Sequence, residues 1–118
     1  MRLGIDIVEV SRVAAMVQRW GAAFLQRVFT EAELNDASGR VASLASRFAA
    51  KEAAAKALSC GIGRIAWRDV EVVSLPGGQP SLVLHGEAKA LADQLGVREV
   101  LVSLSDTRQE AVAAVILV

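Results

Sequence analysis

Arg47-Phe48-Ala49-Ala50-Lys51-Glu52-Ala53-Ala54-Ala55-Lys56-Ala57-Leu58 is the stretch on which the reading of this chain turns. Alanine and straight-chain residues dominate it, with no glycine, proline or β-branched residue, and that composition predicts an uninterrupted helix. Phe48, Glu52 and Lys56 stand four apart and share one stripe of it. The alanines on its other faces let neighbouring backbones approach closely. Taken alone, Glu52 and Lys56 have the i,i+4 spacing of an ordinary ion pair, worth about 0.3–0.5 kcal/mol.

Outward from this stretch, the helix is expected over Val41 to Ser59, after the breaker Ser38-Gly39-Arg40 and before the stop Gly61-Ile62-Gly63. Leu3 to Val10, rich in Ile and Val, reads as a strand buried on both faces. Asp6 interrupts it. A buried carboxylate is costly without a cation, a hydrogen-bond nest or a metal, and Gly4 beside it allows a ligand to approach closely. Ser11 is the expected N-cap of a helix reaching Trp20, with Val13, Val17, Trp20 and then Phe24 as its apolar stripe. Arg12, Met16 and Arg19 form a second stripe, either a solvated basic edge or a docking surface for an acidic partner.

Thr30 opens a further short helix with Glu31 and Glu33 in its first turn. Trp67 to Leu75 and Ser81 to Leu84 read as a hairpin around Pro76-Gly77-Gly78-Gln79-Pro80. Glu87 to Leu95 is a helix closed by Gly96, and Arg98 to Ser105 and Ala111 to Val118 are the last two strands. The order β-α-α-α-β-β-α-β-β predicts a single α+β domain over residues 1–118, with a mixed or antiparallel sheet carrying one long helix.

Composition agrees. The 118 residues suffice for one core, and with 53% hydrophobic but only 4% aromatic residues that core must be built from Ala, Val and Leu. A net charge of zero argues against a nucleic-acid-binding role, although Arg12, Arg19 and Arg27 cluster early. No run approaches the roughly 20 apolar residues of a membrane span, the N-terminus lacks signal-peptide features, and the single Cys60 fits a reducing compartment. A cytoplasmic protein is expected.

Common catalytic patterns are missing: no phosphate-loop or dinucleotide glycine motif, and no Cys/His cluster for zinc. His85 reads as an exposed turn residue and Cys60 as a packing residue. Oxygen chemistry remains. Asp6 and Glu52 together suit a hard cation such as Mg²⁺, and Lys56 and Arg47 suit a phosphate or pyrophosphate. Such a set fits phosphoryl-type transfer, where positioning and charge neutralisation do most of the catalysis.

Three stretches together resemble the signatures of holo-acyl-carrier-protein synthases, short single-domain members of the 4′-phosphopantetheinyl transferase superfamily. They are Gly4-Ile5-Asp6-Ile7-Val8-Glu9 with Arg12, Arg47 to Ala53 with Lys56-Ala57, and Val102-Ser103-Leu104-Ser105 before an alanine-rich final strand. Phe29-Thr30-Glu31 between the first two also fits. The resemblance implies Mg²⁺-dependent transfer of 4′-phosphopantetheine from coenzyme A to a serine of apo acyl carrier protein, in fatty acid biosynthesis. It further implies a homotrimer with active sites at subunit boundaries. By match, Asp6 and Glu52 are metal ligands, Glu52 with a possible catalytic role. Arg47 and Lys56 then contact coenzyme A phosphates, Gly78 and Pro80 lie near its adenine end, and Arg12, Met16, Arg19 and Arg27 receive the carrier protein. One position departs: Asp106 stands where the family usually has histidine, next to Thr107. Asp106 either caps the final hairpin or belongs to the site. That departure keeps a second reading open, a non-catalytic trimeric module that binds coenzyme A or carrier protein.

Overall fold

The long helix forms as its composition demands. In the computed structural model, which describes residues 1–118, it spans Val41–Ala57 (α4). It ends before the glycines: Leu58 is its C-cap, and Ser59 already takes a left-handed φ of 57°. Around it the chain runs β1 (Arg2–Glu9), α1 (Val10–Trp20), α2 (Ala22–Val28), α3 (Glu31–Ala37), a 3-10 turn at Trp67–Asp69, β2 (Val70–Ser74), β3 (Pro80–Leu84), α5 (Gly86–Gln94), β4 (Val100–Asp106) and β5 (Glu110–Leu117). All strand pairing is antiparallel, in a three-stranded sheet of order β1-β5-β4 and a separate β2-β3 hairpin.

α4 lies across one face of the three-stranded sheet, and the small residues show how closely. A Cβ on Gly4 would collide with the Ala53 carbonyl oxygen and crowd the Ala57 amide nitrogen. The close approach that Gly4 permits is therefore that of α4, and not of a ligand. Ala49, Ala53, Ala57, Ala111 and Ala113 are all buried in this layer.

Four expectations change. β1 is buried on one face only: Gly4 and Val8 point to α4, whereas Leu3, Ile5 and Ile7 are 66%, 60% and 59% exposed. One chain supplies no second layer for that side. The helix reaching Trp20 ends there as expected, but a second, unexpected helix, α2, follows it after Gly21 (φ 56°), and Trp20 is exposed instead of joining the core. Glu9, not Ser11, occupies the N-cap of α1, and it makes no side-chain capping bond. Finally, Trp67 to Asp69 is a 3-10 turn, closed where the Asp69 carboxylate accepts the Ala66 amide at 3.1 Å, and the strand begins only at Val70.

Thr30 caps α3 as expected, with a reciprocal box: its hydroxyl accepts the Glu33 amide (3.2 Å) and the Glu33 carboxylate accepts the Thr30 amide (2.9 Å). No helix is long and apolar enough to cross a membrane.

Candidate active site

β1 and α4 bring together residues fifty positions apart. Lys56 Nζ donates to Asp6 Oδ1 at 2.9 Å and to the Ile5 carbonyl at 3.0 Å. Lys56 is thus Asp6's partner, not the i,i+4 partner of Glu52. The hydrogen bond and charge of Asp6 hold the Lys56 ammonium above its usual range. With two of its three protons committed, the exposed ammonium keeps one donor for a ligand.

Glu52 stands beside this pair. Burial, and then the negative charge of Asp6, push its carboxyl up; Arg12 and Lys56 oppose them. Two carboxylates that repel each other, one of them lining a cavity, are a pair whose repulsion a divalent cation would relieve. Nowhere do three or more His, Cys, Asp or Glu side chains cluster, so such an ion would take two protein ligands and complete its shell with water or substrate oxygens. Along the stripe, burial falls in order: Phe48 is buried, Glu52 half-buried and Lys56 exposed.

Glu52 borders two cavities. A groove of about 470 Å³ runs between α1, α2 and α4, lined by Arg12, Met16, Phe24, Arg27 and Phe48 among others. A cleft of about 290 Å³ lies on the other side, lined by Lys56, Cys60, Gly61 and Ile62. Trp67 lines both, its ring stacked on Phe48 at 4.8 Å. Sequence reasoning missed Trp67 as a site residue. Its signal was that one of only two tryptophans directly follows the glycine-rich loop. Arg12 lies over the Phe48 ring at 5.8 Å, whereas Arg19 packs over Trp20 at 4.9 Å and does not line the groove.

The remaining predicted residues lie elsewhere. Arg47 is buried where α3 meets α4, donating to the Ser43 carbonyl and hydroxyl and 3.8 Å from Asp36, with its Nε left unpartnered. Gly78 (φ 86°) sits in the β2–β3 turn, and Pro80 begins β3. Asp106 is the last residue of β4 and pairs with Ala111, so it does not cap the hairpin. Thr107 does: its hydroxyl accepts the Gln109 and Glu110 amides at 3.2 and 3.1 Å. None of Arg47, Gly78, Pro80, Asp106 and Thr107 lines the groove or the cleft. His85 is half-exposed, as expected, but is engaged by Glu71 at 3.1 Å, and burial raises the pKa of the Cys60 thiol, in keeping with a packing role.

Residues 2–116 match the profile of the 4′-phosphopantetheinyl transferase superfamily. The chain belongs to that family. Holo-[acyl-carrier-protein] synthase of Dehalococcoides mccartyi is 48% identical over 113 residues, covering 96% of this chain and 94% of the relative. The enzyme of that name from Koribacter versatilis is 49% identical over 118 residues, covering 97% and 94%. Among solved structures, the Helicobacter pylori holo-[acyl-carrier-protein] synthase in complex with coenzyme A superposes with a TM-score of 0.90 at 30% identity, covering 98% of this chain and 99% of that one. The family assignment thus agrees with the fold and with the signature residues gathered at the β1–α4 crossing.

Proposed function

We propose that this chain transfers 4′-phosphopantetheine from coenzyme A to a serine hydroxyl of apo acyl carrier protein, releasing adenosine 3′,5′-bisphosphate. The observation that carries the reading is that Glu52, which borders both cavities, stands beside the Asp6–Lys56 pair, with Lys56 lining the cleft. A two-substrate transfer needs such a border. The cleft side, with Lys56 and the Gly61-Ile62 backbone, suits the pyrophosphate of coenzyme A. The groove side, apolar with arginines at its edge, suits an acidic carrier protein presenting an apolar knob.

Asp6 and Glu52 would hold Mg²⁺. When bound there, Mg²⁺ supplies charge neutralisation to the pyrophosphate oxygens. In the reaction the serine Oγ–P bond forms as the hydroxyl loses its proton to water, and the bond from that phosphorus to the bridging oxygen breaks, that oxygen leaving with its electron pair on adenosine 3′,5′-bisphosphate. The free Lys56 N–H donates to one phosphate oxygen as negative charge grows on the leaving group. Phe48 and Trp67 wall the reacting centre on its apolar side and limit the water that competes with serine.

Arg47, Gly78, Pro80, Asp106 and Thr107 enter this reading through a second copy. The uncovered face of β1, with Leu101 of β4 in register with Leu3 through Ile116, favours a homotrimer whose sites lie at subunit boundaries. A cytoplasmic location completes the reading.

The test is a mass measurement. After incubation with apo carrier protein, coenzyme A and Mg²⁺, the carrier protein gains one phosphopantetheine. A folded protein that binds both substrates and adds nothing would refute transfer and leave the binding-module reading; turnover of coenzyme A without carrier protein would indicate a hydrolase.

A further inference from the structure

One buried ionisable group takes no part in the chemistry above. Lys51, immediately before Glu52, is fully buried, with its Nζ 2.8 Å from Glu33 Oε1 on α3. The other two protons of its ammonium go to main-chain carbonyls across the molecule: Trp67 at 3.1 Å and Val70. Glu33 is itself anchored, accepting the Thr30 amide on one oxygen and the Val72 amide (2.9 Å) on the other. The ammonium is therefore saturated, and it spans exactly the backbone that carries Trp67 from the glycine-rich loop into β2.

That backbone is closed on itself where the Asp69 carboxylate accepts the Ala66 amide, and is pinned to the hairpin where the Asp69 carbonyl accepts the His85 amide, but it is Lys51 that ties it to α4 by hydrogen bonds. Gly61, Gly63, Arg64, Ala66 and Arg68 around it are all exposed. The Trp67 ring, half-buried on Phe48, is nevertheless the wall common to groove and cleft. We propose that Lys51 is a positioning residue for the transfer reaction: by tying the Trp67 and Val70 carbonyls to α4, it holds the Trp67 ring against Phe48 and so sets the wall between the two substrate cavities. This rests on the transferase reading for its kinetic consequence, and on geometry alone for the placement of the ring.

Two measurements test it. In a double-mutant cycle, Lys51→Met lowers kcat/KM for carrier protein roughly tenfold in the folded protein, a loss typical of removing a supporting partner. The same substitution in a Trp67→Ala background has almost no further effect, because the residue it acts through is gone. A loss of equal size in both backgrounds would mean that Lys51 only stabilises the fold, and would overturn the proposal. If Lys51→Met does not fold, Lys51→Met with Glu33→Gln removes both charges while keeping an acceptor for the Val72 amide, and enters the same cycle. The second measurement needs no substrate. With Trp20→Phe making Trp67 the sole tryptophan, Lys51→Met raises acrylamide quenching roughly twofold as the ring loosens; unchanged quenching would refute the positioning role. Failure of the unsubstituted protein to modify carrier protein would count against the transferase reading alone, and the quenching comparison would still decide about Lys51.

Discussion

α4 carries two lysines five residues apart, each paired with a carboxylate from another element, and their environments are opposite. Lys51 and Glu33 are both 0% exposed, whereas Lys56 is 55% and Asp6 13% exposed. Burial pushes the Lys51 ammonium down despite Glu33, while the hydrogen bond and charge of Asp6 lift that of Lys56. At Lys51 every proton is spent inside the protein, so the pair is architecture. At Lys56 one proton and half the surface remain open, so the pair is available for chemistry. The same residue pairing is thus sealed in the middle of the helix and left open to solvent one turn and a half later, and depth makes the difference.

The sharpest way to break this comparison is the same substitution at both lysines. Lys51→Met leaves Glu33 buried without its cation and is expected to cost roughly 3–5 kcal/mol of stability. Lys56→Met, at a solvent-exposed pair, is expected to cost only about 0–1 kcal/mol. Urea unfolding of both variants reads the difference, and equal losses would void the distinction. Activity should rank the other way among folded molecules: Lys56→Met is expected to lose roughly 10²-fold in kcat/KM, about the loss of one transition-state donor.

Asp6→Asn sharpens the open end. It removes one of the two carboxylates proposed to hold Mg²⁺, and transfer should fall by roughly 10²–10³-fold, with higher Mg²⁺ needed for half-maximal rate. Full activity at unchanged Mg²⁺ would remove Asp6 from the ligand set. A smaller effect is expected at the groove. Arg27→Glu should raise KM for carrier protein about tenfold and leave that for coenzyme A nearly unchanged. The contrast should shrink as salt rises, since the contact is exposed.

The open pair was the more legible of the two. A carboxylate inside an Ile/Val strand, and a carboxylate and amine on one stripe of an alanine-rich helix, are chemically anomalous, so Asp6, Glu52 and Lys56 stand out in one dimension. Their partnership did not: i,i+4 spacing suggested Glu52–Lys56, and only the crossing of β1 over α4 gives Lys56 to Asp6. Lys51 was invisible, because its partners Glu33, Trp67 and Val70 lie 16 to 19 residues away and no periodicity links them. Gly21 concealed α2, since Phe24 continues the apolar spacing of α1 through the break. β1 looked buried on both faces because hydrophobicity records that a surface needs covering, not whether the same chain covers it. The β4–β5 turn stayed undecided in one dimension, with Asp106 read either as its cap or as a site residue: Asp106 and Thr107 are both turn formers, and only the backbone decides that Thr107 closes it.

Glu71 tests the boundary between buried and open, where the smallest effect is expected. It reaches the buried pair through Thr30, whose hydroxyl donates to Glu71 Oε2 at 2.6 Å while its amide donates to the Glu33 carboxylate, and it meets His85 at the surface. The Thr30 hydroxyl, with help from His85 and against partial burial, lowers the Glu71 pKa. A carboxyl whose folded pKa lies below its unfolded value of about 4.3 contributes stability above that value. The contribution disappears as pH falls through the lowered folded pKa, because below both values folded and unfolded states bind the same proton. Urea midpoints measured from pH 6 down to pH 3 should therefore fall less steeply for Glu71→Gln than for the unsubstituted protein, with the two curves converging below about pH 5. Thr30→Val, which removes the hydroxyl donor and the α3 cap together, should flatten the same acid limb and also lower stability at neutral pH by about 1 kcal/mol. Parallel acid limbs for the protein and Glu71→Gln would place Glu71 outside the network and confine the buried architecture to Lys51 and Glu33.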